Sequence, residues 1–310
     1  MNKGRDLDAP RVGIAIAVHN NIKRTQECLN AVLNSRYPNL FTCVVDDGST
    51  DHTWITLQTE YPWVKSVRGD GDLWWTGGTN LAIQHCLEAG CEYVLLLNPD
   101  CIVYPDTISH LVQEAERNPQ TVIACVVVDA ADPATIWWAG TTWEALKWFP
   151  LIWLIRYRYR RGQQVSDLPT TPFPTAETGG RGVLVPRSIF DVVGLFDEQV
   201  FRHYAADNDF GLRVHKAGYG ILIEPSARVR LYAEQTGLKP AQTFNSLWSG
   251  FMRRMFSRKH GEALHCAWHF YRRHVPWYAF IPSFIAVISW TTYKYWSESL
   301  LTIVGKRSAR

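Results

Sequence analysis

The sequence contains no CxxC pair, no GxGxxG after a strand, no GxxxxGK(S/T) run, no internal repeat and no low-complexity tract. Without the glycine fingerprints, neither a dinucleotide-binding fold nor a P-loop is supported. The cysteines, Cys28, Cys43, Cys86, Cys91, Cys101, Cys125 and Cys266, lie partly inside apolar, strand-like runs, where a free thiol packs as a small hydrophobe. That usage predicts a reducing compartment. The N-terminal MNKGRDLDAPRVGIAIAV carries acidic residues ahead of its apolar run. The run reads as a strand, so a cleaved signal peptide is not expected and a cytosolic location is.

What is present is ample material for a buried core. Of 310 residues, 46% are hydrophobic, and the length fits one large α/β domain or two ordinary ones. The formal net charge is +3, but residues 241–310 hold 10 Lys+Arg against 2 Asp+Glu, which leaves −5 for the rest. This asymmetry predicts two different partners.

Val12 to Val18 is a short, β-branched-rich run ending at His19 and Asn20, and after it Ile22, Cys28, Leu29, Val32 and Leu33 recur at helical spacing. The alternation returns with Phe41 to Val45 and HTWITLQTEY, then with Val64 to Val67, GGTNLAIQHCLEAG and Tyr93 to Leu97. Strands alternating with helices imply parallel βαβ units in a sheet covered on both faces. Ligands of such sheets bind beyond the carboxyl ends of the strands. That rule places Asp46, Asp47 and Asp100 on one edge. Further on, TIWWAG reads as a strand, TGGRGVLVPRSIFDVVGLFDE as a turn, strand and helix, and DNDFGLRVHKAGYG as a helix stopped at Gly218.

Each acidic group has a plain reading and a chemical one. Asp46 and Asp47 precede a Gly-Ser-Thr-Asp turn that either starts a helix, with Ser49 or Asp51 as N-cap, or leaves the two carboxylates to accept a base N–H and a ribose hydroxyl. Asp100, in Asn98-Pro99-Asp100, fits an Asx turn. It equally fits a ligand of Mg²⁺ or Mn²⁺ on a diphosphate, which needs only one or two protein carboxylates. Asp207 and Asp209 stand near the start of an amphipathic helix, where capping and the dipole explain one of them. The loop GDGDLWWTGGTNLA, with Asn80 in its helical part, is either a tight turn with an N-cap or a set of backbone N–H groups facing phosphate.

In this order, VGIAIAVHN, CVVDDGSTD, GDLWWTGGTNLAI, YVLLLNPDC, IWWAG, GGRGVLVPRSIFDVVGLFDE and YAADNDFGLRVHKAGY resemble the inverting, GT-A-fold glycosyltransferases of family 2, in particular the rhamnosyltransferase-like branch. The resemblance spans roughly residues 12–224. It implies an α/β GT-A fold, with a mostly parallel central sheet and helices on both faces. Residues 1–239 would be catalytic, with a nucleotide-binding part over about 10–130 and an acceptor part over about 131–239. It implies that Val18, Asn20, Asp46, Asp47, Asn80, Asn98 and Asp100 bind the nucleoside-diphosphate donor, with Asp100 holding a divalent cation. Asp207 would be the base that takes the acceptor's proton, and Gly180, Tyr204 and Asp209 would line the acceptor side. The chain departs from the family pattern at Ala206, where an acidic residue is common, and at Leu231 and Tyr232, where a histidine metal ligand is common.

Residues 240–310 are expected to form a helical extension rich in aromatic and basic residues. A separate cluster, over 148–161 and outside that extension, joins Trp148, Phe149, Leu151, Ile152, Trp153 and Ile155 to Arg156, Arg158, Arg160 and Arg161. A second run, from Val275 to Tyr293, has no charged residue and carries Trp277, Tyr278 and Trp290. Both fit contact with an anionic membrane surface, the second as a peripheral or monotopic helix rather than a span because Pro276 and Pro282 interrupt it. The alternatives are an insertion packed on the catalytic domain for the first and a packed helical extension for the second. Nucleic acid is not an expected partner, since no binding motif accompanies the basic residues.

The expectation is therefore a metal-assisted, inverting transferase acting on a glycan or lipid-linked acceptor in cell-surface polysaccharide synthesis, at the cytosolic face of the membrane. Two other classes remain open at this point: a weakened sugar-nucleotide-binding scaffold, and a sugar nucleotidyltransferase. The second is disfavoured by the lack of an N-terminal Gly-rich, Arg/Lys-bearing loop.

Overall fold

A computed structural model describes residues 9–232, 240–257 and 263–308. β1 (Val12–Val18) is buried along its whole length, as a strand covered by helices on both faces should be. After it come α1 (Ile22–Leu33), β2 (Leu40–Asp46), α2 (Thr53–Glu60), β3 (Lys65–Arg68), α3 (Trp74–Glu88), β4 (Tyr93–Leu96), β5 (Cys101–Val103), α4 (Thr107–Arg117), β6 (Val122–Asp129) and β7 (Ile136–Trp138). Then follow β8 (Thr141–Leu146), β9 (Phe149–Tyr157), β10 (Phe173–Pro174), β11 (Val183–Pro186), α5 (Arg187–Val193), α6 (Ala206–Lys216) and β12 (Ile221–Leu231). The last helices are α7 (Leu247–Phe256), α8 (Leu264–His274) and α9 (Phe280–Ser308).

The main sheet runs β10-β12-β6-β11-β4-β1-β2-β3, with β5 added on β12 and β7 on β6. β3, β2, β1 and β4 are mutually parallel, as are β6 and β12, while β11 runs antiparallel to both β4 and β6. Register sets Val18 against Asp46 and Asp46 against Arg68, so these strands stop at a common edge. α3 presses on β1 there: a Cβ on Gly78 would come 3.0 Å from Ala17 Cβ. The close approach, which only a residue without a side chain permits, brings the N-terminal half of α3 to the edge where the acidic residues cluster. All seven cysteines are buried and free.

The chain divides into two compact units. One comprises the residues up to Thr142 with Tyr157–Phe196 and Asp207–Glu234; the other comprises Trp143–Arg156, Asp197–Ala206 and Gln235–Arg310. The second unit thus takes in two stretches from inside residues 1–239.

Within the second unit, β8 and β9 form a hairpin. Its two-residue turn exposes Trp148 at 97%. The cluster expected to be a membrane-surface segment is therefore largely a β-hairpin arm, half-buried over the consecutive residues Ile152 to Ile155 and exposed at both ends. β9 is tied to α9 by Trp153 N–H donating to Ser283 Oγ (2.9 Å) and Ser283 Oγ–H to Leu151 O (3.2 Å). α9 begins just after Pro276, with Pro282 in its first turn, where a missing N–H costs nothing. The Tyr295 hydroxyl donates to Leu247 O (2.8 Å), seating α9 on α7. Asp197 receives Arg273 of α8 at 2.7 Å. α9 buries Ser283, Thr291, Tyr295, Ser299 and Ile303 and exposes Ile281, Ile285, Trp290, Tyr293, Leu301 and Val304. Its Tyr295 and Ile303 join Ala241 and Leu247 in a buried apolar cluster, with Phe251 and Trp296 packed against it. No described helix is long and apolar enough to cross a membrane.

Candidate active site

The DDGSTD segment is stitched to the end of β1. Beyond Val18, Asn20 sits in the left-handed region (φ 58°). Its Oδ1 accepts from Thr50 N (2.8 Å) and Asp51 N (3.3 Å), and its own N–H donates to Ser49 Oγ (2.7 Å). Asp51 Oδ1 accepts from Thr53 N (3.0 Å) at the start of α2, but the cap position is His52, so neither Ser49 nor Asp51 is the N-cap expected from the sequence.

Asp46 and Asp47, adjacent and both buried, have different surroundings. Asp46 Oδ1 accepts from Ser49 N (3.0 Å), but Oδ2 is buried with no partner among the described residues. A buried carboxylate oxygen in that state calls for a donor. Asp47 instead accepts from Gly71 N (2.8 Å) and Leu73 N (3.2 Å) on Oδ1 and from Trp74 N (2.7 Å) on Oδ2. The backbone N–H groups of the glycine-rich loop thus turn inward to Asp47, and this anchoring fixes the N-terminus of α3. Asn80 is also committed: its Nδ2 donates to Phe196 O (3.0 Å) and its Oδ1 accepts from Phe196 N (3.0 Å). That reciprocal pair ties α3 to the turn after α5.

The NPD segment bridges β4 and β5. Asn98 Oδ1 accepts from Trp75 Nε1 (2.8 Å), and Asn98 O accepts from Cys101 N (3.1 Å), closing the turn. Asp100 is half-buried. Among the described residues its carboxylate accepts only the weak Cys101 Sγ–H at 3.6 Å. Tyr232 N lies 3.5 Å from Asp100 O, so the neighbour just past β12 is a tyrosine, with the Arg24 guanidinium 3.4 Å from its ring centroid. No group of three or more His, Cys, Asp or Glu suited to a metal occurs among the described residues.

Across from this segment, Asp207 occupies the first turn of α6. Burial pushes its carboxyl above the usual range, and the nearby Arg181 guanidinium pulls partly the other way. Gly180 (φ 59°) lies between Asp207 and Trp75: a Cβ there would come within 3.3 Å of both Asp207 Oδ2 and the Trp75 ring. A side chain at 180 would be strained as well as crowded. Asp207, Gly180, Trp75, Asn98 and the Asp100 turn therefore form one connected line.

Asp209 does not join that line. About 200° round the helix from Asp207, it is fully buried and paired with Arg213 Nε at 2.8 Å. The same guanidinium donates to Val193 O (2.7 Å) and Leu195 O (2.8 Å). The carboxylate expected on the acceptor side therefore locks α6 to the end of α5, because helix periodicity turns it away from Asp207. Tyr204 belongs to the second unit, where its ring meets His203 edge-on at 4.6 Å. Ala206, the first residue of α6, is buried.

Three residues of this region are absent from the sequence-based set: Trp75, Arg181 and Glu177. Glu177 is 3% exposed and its side chain accepts from Asn208 Nδ2. Burial, reinforced by the Asp207 charge, pushes its carboxyl up to about 8. The signal available for it was one acidic residue in the otherwise small and neutral PTAETGG.

The family profile described as "Glycosyl transferase family 2" matches residues 13–181, a span that includes Asp46, Asp47, Asp100, Glu177 and Gly180 and ends before Asp207. Among known proteins, the chain is 27% identical over 224 residues to the N-acetylglucosaminyl-diphospho-decaprenol L-rhamnosyltransferase of Mycobacterium tuberculosis, covering 64% of this chain and 68% of that protein. It is 24% identical over 202 residues to dTDP-rhamnosyl transferase RfbF of Shigella flexneri, covering 63% and 60%. Among solved structures, it is similar to a mannosyltransferase from Pyrobaculum calidifontis in complex with GDP-Man and Mn²⁺, with TM-score 0.56 and 17% identity over 97% of this chain and 76% of that one. GalNAc-T7 with UDP, GalNAc and Mn²⁺ gives TM-score 0.56 at 14% identity, over 71% of this chain and 43% of that one. These likenesses fix the fold as GT-A.

Proposed function

The chain belongs to glycosyl transferase family 2, and on that premise we propose that it is an inverting transferase. It moves a sugar from a nucleoside diphosphate, dTDP-rhamnose or a UDP-sugar, to a glycan or lipid-linked acceptor in cell-surface polysaccharide synthesis. The observation that carries this reading is the line joining two carboxylates of different environment: Asp207, buried beside Arg181, and Asp100, half-buried with an almost unengaged carboxylate. The two rhamnosyltransferase relatives support the donor class.

Inversion at an anomeric carbon requires one displacement. Asp207 takes the proton of the acceptor hydroxyl, and the oxygen so freed forms the new bond to the anomeric carbon. The bond to the diphosphate breaks with its electron pair on the leaving oxygen. A raised carboxyl is the better base, and Arg181 favours its ionised form before the acceptor arrives. On the donor side, Asp46 Oδ2 is suited to a base N–H, and Val18 and Asn20 border it. Asp100 would hold the divalent cation. One carboxylate with free lone pairs fits Mg²⁺ or Mn²⁺ on a diphosphate, and the ion, when bound, supplies neutralisation of the leaving group's charge.

We place this chemistry at the cytosolic face of the membrane, with peripheral or monotopic attachment. Support comes from the second unit alone. Its sequence holds 14 Lys+Arg against 5 Asp+Glu, its hairpin tip presents Trp148, Trp277 just before α9 is 88% exposed, and α9 turns its apolar residues outward. Basic charge with exposed tryptophans and an outward apolar face suits an anionic lipid surface.

The test is nucleoside-diphosphate release by the full chain from UDP-, dTDP- and GDP-sugars, with Mg²⁺, Mn²⁺ or EDTA. Release from one donor class that EDTA abolishes is the expected result. Nucleotide binding without release from any donor, even with polyprenyl-diphosphate acceptors added, would leave a binding protein and overturn the transferase reading.

A further inference from the structure

Glu177 is a buried titratable group beside Asp207's helix that the mechanism above leaves unused. It sits on the segment between β10 and β11, and that segment grips the first turn of α6 at several points. Thr178 Oγ1 donates to Asp207 O (3.2 Å), the Glu177 carboxylate accepts from the Asn208 side chain, and Asn208 N donates to Asp207 Oδ1 (3.0 Å). On the other side, Thr175 Oγ1 donates to Glu177 O (3.1 Å) and accepts from Thr141 N (2.9 Å). The grip depends on Gly211: a Cβ there would lie 3.0 Å from Glu177 Cα and 3.1 Å from Ala176 O. A side chain at position 211 would press on the backbone of that segment and push α6 away from it.

A carboxyl that merely filled space here would be a poor choice, since burying an ionisable group without a partner is costly. We infer that Glu177 is a positioning residue for Asp207, holding the start of α6 through the Asn208 side chain while its neighbour Thr178 holds the Asp207 carbonyl. The inference rests on Asp207 being the base.

The charged and titratable groups around the pair are few. Arg181 comes from the following turn. His215, further along α6, faces Thr175 O at 2.9 Å. Asp207, nearer to Arg181, ionises first, and its charge keeps the proton on Glu177 up to about 8. Below that pH only Asp207 carries a charge; above it, two like charges are buried in the same region and repel. The strain falls on the 175–180 segment and thus on Gly180, where an added Cβ would lie 3.3 Å from Asp207 Oδ2. Turnover should therefore fall on the alkaline side.

The experiment compares wild type, Glu177→Gln, Glu177→Ala and Asn208→Ala as full chains. Both kcat against pH, with the donor that supports release, and Tm against pH in nucleotide-free buffer are read. Glu177→Gln should lose the alkaline limb near pH 8 with donor KM unchanged, and its Tm should decline less between pH 6 and 9 than wild type's. Glu177→Ala and Asn208→Ala should lower kcat about tenfold or more at every pH, because a displaced base is a poor base, again with donor KM unchanged. A Glu177→Gln protein that keeps the wild-type pH dependence of both kcat and Tm overturns the inference, as does a Glu177→Ala protein with wild-type kcat. If no donor is turned over by wild type, the transferase reading fails instead, and the Tm profiles of Glu177→Gln and Asp207→Asn still decide whether the two carboxyls are coupled.

Discussion

Asp207 and Asp209, two residues apart on α6, carry separable roles, and substituting each with asparagine should damage different properties. Asp209→Asn neutralises the buried partner of Arg213 while leaving the guanidinium its bonds to Val193 O and Leu195 O. Removing one member of a buried pair costs about 3–5 kcal/mol. The Arg213 side chain keeps 20% exposure, and its carbonyl partners remain, so the cost should sit at the lower end, about 3 kcal/mol. For a unit of this size that lowers Tm by about 6–12 °C, while the folded protein turns over normally. Asp207→Asn removes a carboxyl whose charged form burial disfavours, so Tm should hold or rise slightly while release falls by about 100-fold or more. Thermal melts by circular dichroism, with release measured well below the lower Tm, separate the two. An Asp209→Asn protein that melts with wild type yet has lost turnover would refute this division, and so would an Asp207→Asn protein that is merely unstable.

Asp100→Ala should abolish metal-stimulated release while leaving Tm within about 1 °C in metal-free buffer, since its carboxylate has almost no partner to lose; unchanged Mn²⁺ stimulation would count against it as the ligand. Because the native carboxyl of Asp207 is raised and must be ionised to act, activity should be lost as pH falls through a value above the ordinary range of about 4, and an acid limb at or below that range would contradict a buried base. Gly180→Ala should lower kcat with little change in donor KM, its Cβ crowding Asp207 and Trp75; wild-type kcat would show that the line is not part of the site. Flotation with phosphatidylglycerol-containing vesicles should weaken by roughly tenfold on Trp148→Ala or Trp277→Ala, the effect of about 1.5 kcal/mol of lost apolar contact. Equal binding by both variants, or none by wild type, would refute the proposed membrane surface.

Much of the nucleotide-side scaffold was legible because its signals are local. Val12–Val18, Leu40–Asp46 and Tyr93–Leu96 are short, buried strands, and each ends in turn chemistry that places Asp46, Asp47 and Asp100 on the predicted edge. What periodicity could not tell was where each side chain's bonds go. Asp46 and Asp47 look alike in sequence, yet one keeps a buried oxygen without a partner and the other anchors a loop 24 to 27 residues away. Asn80 likewise spends its amide on Phe196, 116 residues on. Asp209 was the residue that helix geometry alone could have set aside, since two positions along a helix point to opposite sides. The cluster around Trp148 carries no hairpin signal at its Lys147-Trp148 turn, because one flanking arm, FPLIWLIRY, is apolar on both faces rather than alternating. Glu177 was invisible because its importance comes from packing against α6, which nothing in PTAETGG announces.

The most direct test of the central claim is nucleoside-diphosphate release by wild type, Asp100→Ala and Asp207→Asn, side by side with one donor and Mn²⁺, with nucleotide binding measured on all three. Release by wild type, lost in both variants while Asp207→Asn still binds the nucleotide, is the predicted result. Release by Asp207→Asn at the wild-type rate with the fold intact would contradict it, since the account assigns the acceptor's proton to Asp207.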